Sequence, residues 1–394
     1  MREGKIRVTE QRGFETIKYF FIAVIIIMAG VIFFGNNAQA KKNYTITPNS
    51  ELLNYKGSPS LNKYTRHYFL LRTHLEAIEA AGGGTLTLKK GTYNISNSVC
   101  IPSNTKIVLK NGVKLVKINK TGKALFKPAQ GMFHVVAPKI FNNGKKVKGY
   151  KGTKNSSIVG QGNATIDLKS IKNAKGFIVG HTKNFTIKNI HFKNMNTGHF
   201  IEVDASTGTK IIGCTFSGVS ANTPWNKEAI NIDTPDAATG GLNVPWTAHD
   251  CTPNKNLLIE GCTFENLNRG IGTHKYSMKK AGGEWVNCMH EGITINGNTF
   301  SNISDTAVFM MNWKDTTVTG NTFNDITKCA LDFRGVKQLL TVKGNILNNT
   351  AIAPDHILSP AYEYTNNGDK SNYPPINNDF GYDDGEQLLA ANNN

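Results

Sequence analysis

Gly261-Cys262-Thr263-Phe264, Gly297-Asn298-Thr299-Phe300 and Gly320-Asn321-Thr322-Phe323 are copies of one tetrapeptide, and their recurrence decides the fold. Gly213-Cys214-Thr215-Phe216 is another copy, Asn189-Ile190-His191-Phe192 a diverged one, and Gly344-Asn345-Ile346-Leu347 a weaker sixth. Phe192 to Phe216 spans 24 residues and Phe300 to Phe323 spans 23; the longer steps carry insertions, chiefly 234–254 and 276–290. A repeat of this length is a unit that must stack on its neighbours to bury its apolar face. Leucine-rich repeats have a similar period, but their Leu spacing is absent here. Turn residues recur every few positions and no helical pattern lies inside the repeat, which points to a parallel β-solenoid. Stacking sets equivalent residues about 4.8 Å apart along the axis. Phe, Ile, Val and Cys at inward positions then form core ladders, and the Asn of each turn can bond the next coil.

The rest of the chain fits around this stack. Among 394 residues there are 38 glycines and only 19% charged residues, as a strand-and-turn protein requires. Residues 1–40 read as a signal peptide or membrane anchor: Arg2, Lys5, Arg7, Arg12 and Lys18 precede an apolar run from Tyr19 to Phe34, followed by Ala38-Gln39-Ala40. The protein is expected to be secreted or to sit on the outer face of the cell membrane, touching membrane only through that segment. Residues 41–67 read as a polar linker. Leu71, Leu75 and Ile78 have helical spacing within 68–81, a helix ended by Gly82-Gly83-Gly84 and suited to capping the first coil. The β-helix domain is set at 68–350, and 351–394 at a C-terminal cap or loose tail. Cys214 and Cys262 occupy one repeat position and read as core filling; a Cys251–Cys288 bridge can join the two insertions. Neither a CxxC pair nor a His/Cys cluster indicates a metal. The formal charge of +17 favours a polyanion. Lysines are spread along the chain and no nucleic-acid motif is present, so an extracellular acidic polymer is expected rather than DNA or RNA.

Residues 82–93 (Gly-Gly-Gly-Thr-Leu-Thr-Leu-Lys-Lys-Gly-Thr-Tyr), 101–109 (Ile-Pro-Ser-Asn-Thr-Lys-Ile-Val-Leu) and 158–167 (Ile-Val-Gly-Gln-Gly-Asn-Ala-Thr-Ile-Asp) resemble the opening coils of the pectate lyase-like superfamily. With the repeats, the resemblance covers roughly residues 65–350. It implies an all-β fold, a single-stranded right-handed parallel β-helix with an N-terminal capping helix, acting on or binding a polysaccharide. The opening is most similar to that of polygalacturonase-type glycoside hydrolases. Their Asn-Thr-Asp-Gly, Asp-Asp, Gly-His-Gly and Arg-Ile-Lys motifs are not intact here, so site residues are drawn from register instead.

Lys227-Glu228-Ala229-Ile230-Asn231-Ile232-Asp233 alternates, with Ile230 and Ile232 inward and Ala229, Asn231 and Asp233 outward. Carrying that register through the repeats gives outward rows Phe200/Glu202/Asp204, Ala229/Asn231/Asp233, Gly270/Gly272/His274, Ala307/Phe309/Met311 and Ala330/Asp332/Arg334. Asp204, Asp233 and His274 are the expected catalytic column, two carboxylates dividing acid and base work while the histidine orients water or leaving group. Glu202, Glu228, Asn231, Lys275 and Arg334 are expected to bind substrate, the two cations holding a sugar carboxylate. Gly270 and Gly272 would keep the surface low beside His274. Trp225, Trp246 and Trp313 lie on or beside the loops framing this face and can stack on sugars. Asp332 reads as structural. The expected activity is glycosidic cleavage of an acidic polysaccharide by a monomeric hydrolase without cofactor. The alternatives are β-elimination, with Ca²⁺ held by Asp204, Asp233 and Glu202 and Lys275, Arg334 or His274 as base, or polymer binding without cleavage.

Overall fold

The computed structural model describes residues 40–53, 57–353, 363–365 and 372–382. The apolar run 19–34 lies outside them, and no helix among the described residues is long and apolar enough to cross a membrane. Each complete coil gives one short strand to each of three parallel sheets. The first sheet runs from Lys42–Ile46 to Asp379–Tyr382, the second from Val99–Cys100 to Cys329–Arg334, and the third from Gly91–Ile95 to Ile346–Asn348. The register is kept along the third sheet: Phe192, Phe216, Phe264, Phe300 and Phe323 are successive partners. Their rings stack with centroids 4.9, 4.9, 4.6 and 5.0 Å apart. This ladder is what the tetrapeptide encodes.

The other residues of the tetrapeptide have equally definite work. Gly213, Gly261, Gly297, Gly320 and Gly344 all sit at φ near +60°, where a side chain would be strained. The following Asn bonds both ways. Asn321 accepts from the Asn298 backbone N–H at 2.9 Å and donates its amide to the Ile295 carbonyl at 3.0 Å. Asn345 repeats the pattern on Asn321 and Val318. Where the repeat has Cys instead, Cys214 and Cys262 are buried in the same ladder, the Cys214 N–H on the Cys262 sulfur at 3.4 Å.

Three expectations change. Lys42–Ile46 is not linker: it pairs in parallel with Gly84–Leu88 as the first strand of the first sheet. A Cβ on Gly84 would lie 1.8 Å from the Lys42 carbonyl, so glycine is required there. The helix spans Arg66–Ala80 and buries Phe69, Leu70, Leu71, Leu75 and Ile78 with Ile46, Leu86 and Tyr93, which closes the apolar end of the stack. Finally, the first members of the outward rows turn inward. Phe200, Ala229, Ala307 and Ala330 belong to the core, and a Cβ on Gly270 would meet the Phe300 ring at 2.6 Å. At the corner entering the second sheet the chain bends, so two consecutive residues face the core before strict alternation begins.

Two superposed segments shape the outer face of the second sheet. Leu242, Val244 and Trp246 of the 234–254 insertion pack on Ile178, Val136, Val147 and Cys100. Tyr276 and Met278, leading into a two-stranded hairpin of Met278–Ala281 with Glu284–Asn287, pack with Phe309, Met311 and Ile376. A Cys251–Cys288 disulfide joins the two insertions, with Cα atoms 6.1 Å apart. Within 351–394, residues 372–382 close over this end, where Asp379–Tyr382 extends the first sheet and the Tyr373 hydroxyl donates to Asp236 at 2.9 Å.

Candidate functional site

Between those two covers the second sheet is open, and a cleft of about 360 Å³ remains. The pairing that creates it is continuous: Glu202 lies beside Asn231 and Asp204 beside Asp233, and Asn231 beside Gly272. One step further, the His274 backbone N–H donates to Asp233 Oδ1 at 3.2 Å. Glu202, Asn231, Asp233, His274 and Lys275 line the cleft together with Lys175, His199 and Lys227. Glu228 forms the floor beneath them, fully buried.

His274 is the centre of the charge arrangement. Its Nε2 lies 3.1 Å from Glu228 Oε2 and its Nδ1 is 3.7 Å from Asp233 Oδ2 and 2.8 Å from the Asn231 amide. Burial works against a charged ring, and so does Lys227 at 3.2 Å, but Glu228 and Asp233 outweigh them and hold the imidazole above its ordinary value. In return, although burial acts to raise it, Asp233 is held below the usual carboxylate range by His274. Gly272 is needed here for a specific reason, since a Cβ would come within 3.0 Å of Glu228 Cγ and of the Phe309 carbonyl.

His199 stands opposite, its ring 5.0 Å from that of His274. Its Nδ1 is 2.8 Å from the Glu228 carbonyl; donating there fixes the tautomer and leaves Nε2 as the acceptor. Burial, followed by the charges of His274, Lys227 and Lys175, pushes His199 well below the ordinary imidazole value. The cleft thus holds two histidines in contact whose pKa values are displaced in opposite directions. His199, Glu228 and His274 also present ligand atoms within 4.8 Å of one another, a spacing that suits a metal ion. A cation of the chain already serves that carboxylate, Arg269 Nη1 lying 3.4 Å from Glu228 Oε1, and Lys227 stands 3.2 Å from His274 Nε2.

Asp204 lies in the expected column but not at the surface. Its carboxyl is completely buried, neither oxygen has a hydrogen-bond partner, and it lines no part of the cleft. Its rung-mate is Gly180, whose missing Cβ makes room for Trp246 and Leu242, so the 234–254 insertion roofs this end of the column. Burial first, then Glu202 and Asp233, raise the Asp204 pKa well above the carboxylate range, against a smaller opposing pull from Lys175. Asp204 is thus placed inside the wall, where its surroundings favour the protonated acid.

Several expected substrate contacts lie elsewhere. Trp246 is buried in the cover, its indole N–H 3.3 Å from His134. Trp313 is a core residue whose indole N–H donates to Thr273 at 2.8 Å. Arg334 is held by Asp332, Nε to Oδ1 at 2.8 Å, and is cut off from the cleft by the apolar cluster over Met311. Asp332 is fully buried in that pair, a structural role as expected. Trp225 stays 63% exposed with the Arg269 guanidinium 5.1 Å from its ring, beside the Arg269–Asp305 pair rather than in the cleft. The outward rows leave out Lys175, Lys227 and His199 because all three precede the alternating part of their strands. Lys175 pairs with Glu202, and the signal available for it was the same register carried one coil back, to Lys175-Gly176-Phe177-Ile178.

Comparison with known proteins follows the same line. The family of right-handed β-helix regions matches residues 141–345. Plasmin and fibronectin-binding protein A of Streptococcus pneumoniae (strain ATCC BAA-255 / R6) is 24% identical over 253 residues, 57% of this chain and 35% of that protein. The chain therefore spans about a third of the length of this curated relative. A crystal structure of PfbA, a surface adhesin of S. pneumoniae, superposes with a TM-score of 0.58 at 18% identity, covering 79% of this chain and 75% of that one. A second structure of the same adhesin gives 0.52 at 16% identity, over 78% and 87%. The wound sheets, the stacked ladders and the family match agree, and the chain belongs to the right-handed parallel β-helix family.

Proposed function

We propose that the protein works outside the cell on an acidic polysaccharide and breaks its chain in this cleft by β-elimination. The observation that carries the reading is the contacting histidine pair, its pKa values displaced in opposite directions, set among Lys175, Lys227 and Lys275. Groups whose surroundings push their pKa values apart are suited to act as base and acid. In this reading His199 Nε2 takes the proton from the carbon next to the sugar carboxylate. The C–O bond to the neighbouring sugar then breaks, a C=C double bond forms, and His274 gives its proton to the departing oxygen. No water is consumed. The lysines hold the substrate carboxylate and lower the cost of removing the adjacent proton, work that Ca²⁺ performs in the expected alternative. Asp233 and Glu228 favour the charged form of His274 and hold it in place.

Hydrolysis by paired carboxylates is the second reading, and the opposite pKa directions of Asp204 and Asp233 favour it. It requires Asp204 to reach substrate through the 234–254 cover. Binding without cleavage is supported by the name of the pneumococcal relative, which describes binding to plasmin and fibronectin. The discriminating experiment incubates the protein with a panel of acidic polysaccharides and reads the ultraviolet absorbance of unsaturated products alongside reducing ends. Elimination gives both signals and survives a chelator. Reducing ends alone move the assignment to hydrolysis, and neither signal on a broad panel moves it to binding. An outer location is supported by the basic-then-apolar pattern of residues 1–40 and by the surface location given for the adhesin.

A further inference from the structure

A second concentration of charge lies away from the cleft, at the entry to the first sheet. Register places Lys154 beside Lys183, Lys183 beside Thr207, Thr207 beside Lys255, Lys255 beside Glu291, Glu291 beside Lys314 and Lys314 beside Lys337. Five lysines, Thr207 and Glu291 therefore form an axial column, each rung about 4.8 Å from the next, closed at its far end by Asp379. Like charges directly opposite one another destabilise a sheet. Glu291 relieves only part of this, at 2.7 Å from Lys255 and 3.3 Å from Lys314, and Asp379 stands 4.0 Å from Lys337. The Lys154–Lys183 pair has no carboxylate within ion-pair distance among the described residues.

The column also borders a cavity. Lys255, Lys314 and Lys337, with Lys279 from the hairpin, line a hollow of about 380 Å³ whose rim is formed by the Cys251–Cys288 disulfide. The Lys314 and Lys337 side chains are each 27% exposed, packed along the hollow by their stems rather than extended into solvent. Four cations from four separate segments converge on one hollow, where Glu291 is the carboxylate of the lining and Asp379 stands beside Lys337.

We infer that this hollow and column form an anchoring site for a linear polyanion, whose acidic groups lie along the axis of the β-helix with one seated between Lys279, Lys314 and Lys337. The site is separate from the cleft and does not rest on the cleavage reading. The probe is low-mass dextran sulfate, with neutral dextran as the control, titrated against the full-length protein at several salt concentrations. The triple variant Lys279→Gln/Lys314→Gln/Lys337→Gln should bind at least tenfold more weakly. Its log affinity against log salt should be shallower by about two, as three lost ion contacts imply. A triple of equal charge change at exposed lysines elsewhere, Lys188→Gln/Lys193→Gln/Lys210→Gln, should lose less than threefold. Glu291→Gln removes the competing carboxylate and should tighten binding, which also tests the site if the triple variant fails to fold. Equal losses in both triples, unchanged binding in the first, or weaker binding by Glu291→Gln each overturn the inference. Asp233→Asn, expected to lose cleavage, should keep dextran sulfate binding, so failure of one site is distinguishable from failure of the other.

Discussion

Asp204→Asn is the substitution that separates the possible roles of the acidic column. A carboxyl with no hydrogen-bond partner, sealed under Trp246 and Leu242, keeps its proton in the folded protein at pH values where the unfolded chain has lost it. The sign follows from linkage. Above an unfolded value of about 3.9, the native state binds the extra proton, so this residue makes stability fall as pH rises, by about 1.4 kcal/mol per pH unit until its folded pKa is passed. Asparagine has the same shape and no titration. The variant should therefore equal or trail the wild type near pH 4 and gain on it by about 1.4 kcal/mol per pH unit above, until the folded pKa of Asp204 is passed. Urea unfolding followed by circular dichroism from pH 4 to pH 8 gives the difference directly. A difference flat in pH, or a loss that grows toward neutral pH, would show Asp204 ionised and supported by Lys175, and the reasoning would fail. The same protein discriminates the chemistry: elimination through the histidines leaves most of the cleavage rate, whereas a general acid at Asp204 implies a loss of roughly 10²–10⁴-fold.

Further outcomes follow from other parts of the molecule. Cleavage should show a bell-shaped pH profile, its acid limb below the ordinary imidazole value of about 6.5 as His199 gains a proton and its alkaline limb above that value as His274 loses one. His274 should also stabilise the fold fully below about pH 6.5 and lose that contribution as pH rises through its raised folded pKa; His274→Gln in a pH series of unfolding curves checks this. Phe264→Ala removes a fully buried ring stacked at 4.9 and 4.6 Å on its neighbours and should cost about 3–5 kcal/mol, measured by the same unfolding. Reducing the Cys251–Cys288 bridge should lower stability by about 2–4 kcal/mol and speed proteolysis within 234–254 and 276–290, with peptide mapping as the readout.

The fold was legible because a solenoid writes the same physical demand into the chain at every turn. Glycine at φ near +60°, an amide bridging coils and a ring on the stack recur at fixed offsets, so five tetrapeptides sufficed to set the register. Strict alternation then found Glu202, Asn231, Asp233 and His274 as neighbours in the cleft. It failed where alternation itself fails, at the corners, where Phe200 and Ala229 turn inward while His199 and Glu228 serve the cleft. It also could not foresee burial imposed by sequence-distant segments. Asp204 and Arg334 sit in the column as read, but Trp246 of one insertion roofs the first, and the Tyr276, Met311 and Ile376 cluster isolates the second.

Those covers explain why a uniform stack carries a local site. The second sheet presents Glu202, Asn231 and Gly272 in one row and then changes to Phe309, an apolar residue that would be unfavourable facing water. The change is matched from outside by Tyr276, Met278 and Ile376, so the repeat supplies the surface and the insertions decide how much of it stays open. What remains is a cleft of about 360 Å³ whose lining runs across successive coils from Lys175 through Glu202 and Asn231 to His274. A polymer entering it lies along the axis, the same direction as the lysine column on the first sheet. In this arrangement part of the +17 charge of the chain is gathered on two axial tracks, the cleft lining and the lysine column. Separating them by the two Gln triples and Asp233→Asn tests whether grip and chemistry are independent, because a single shared track would make every variant lose both together.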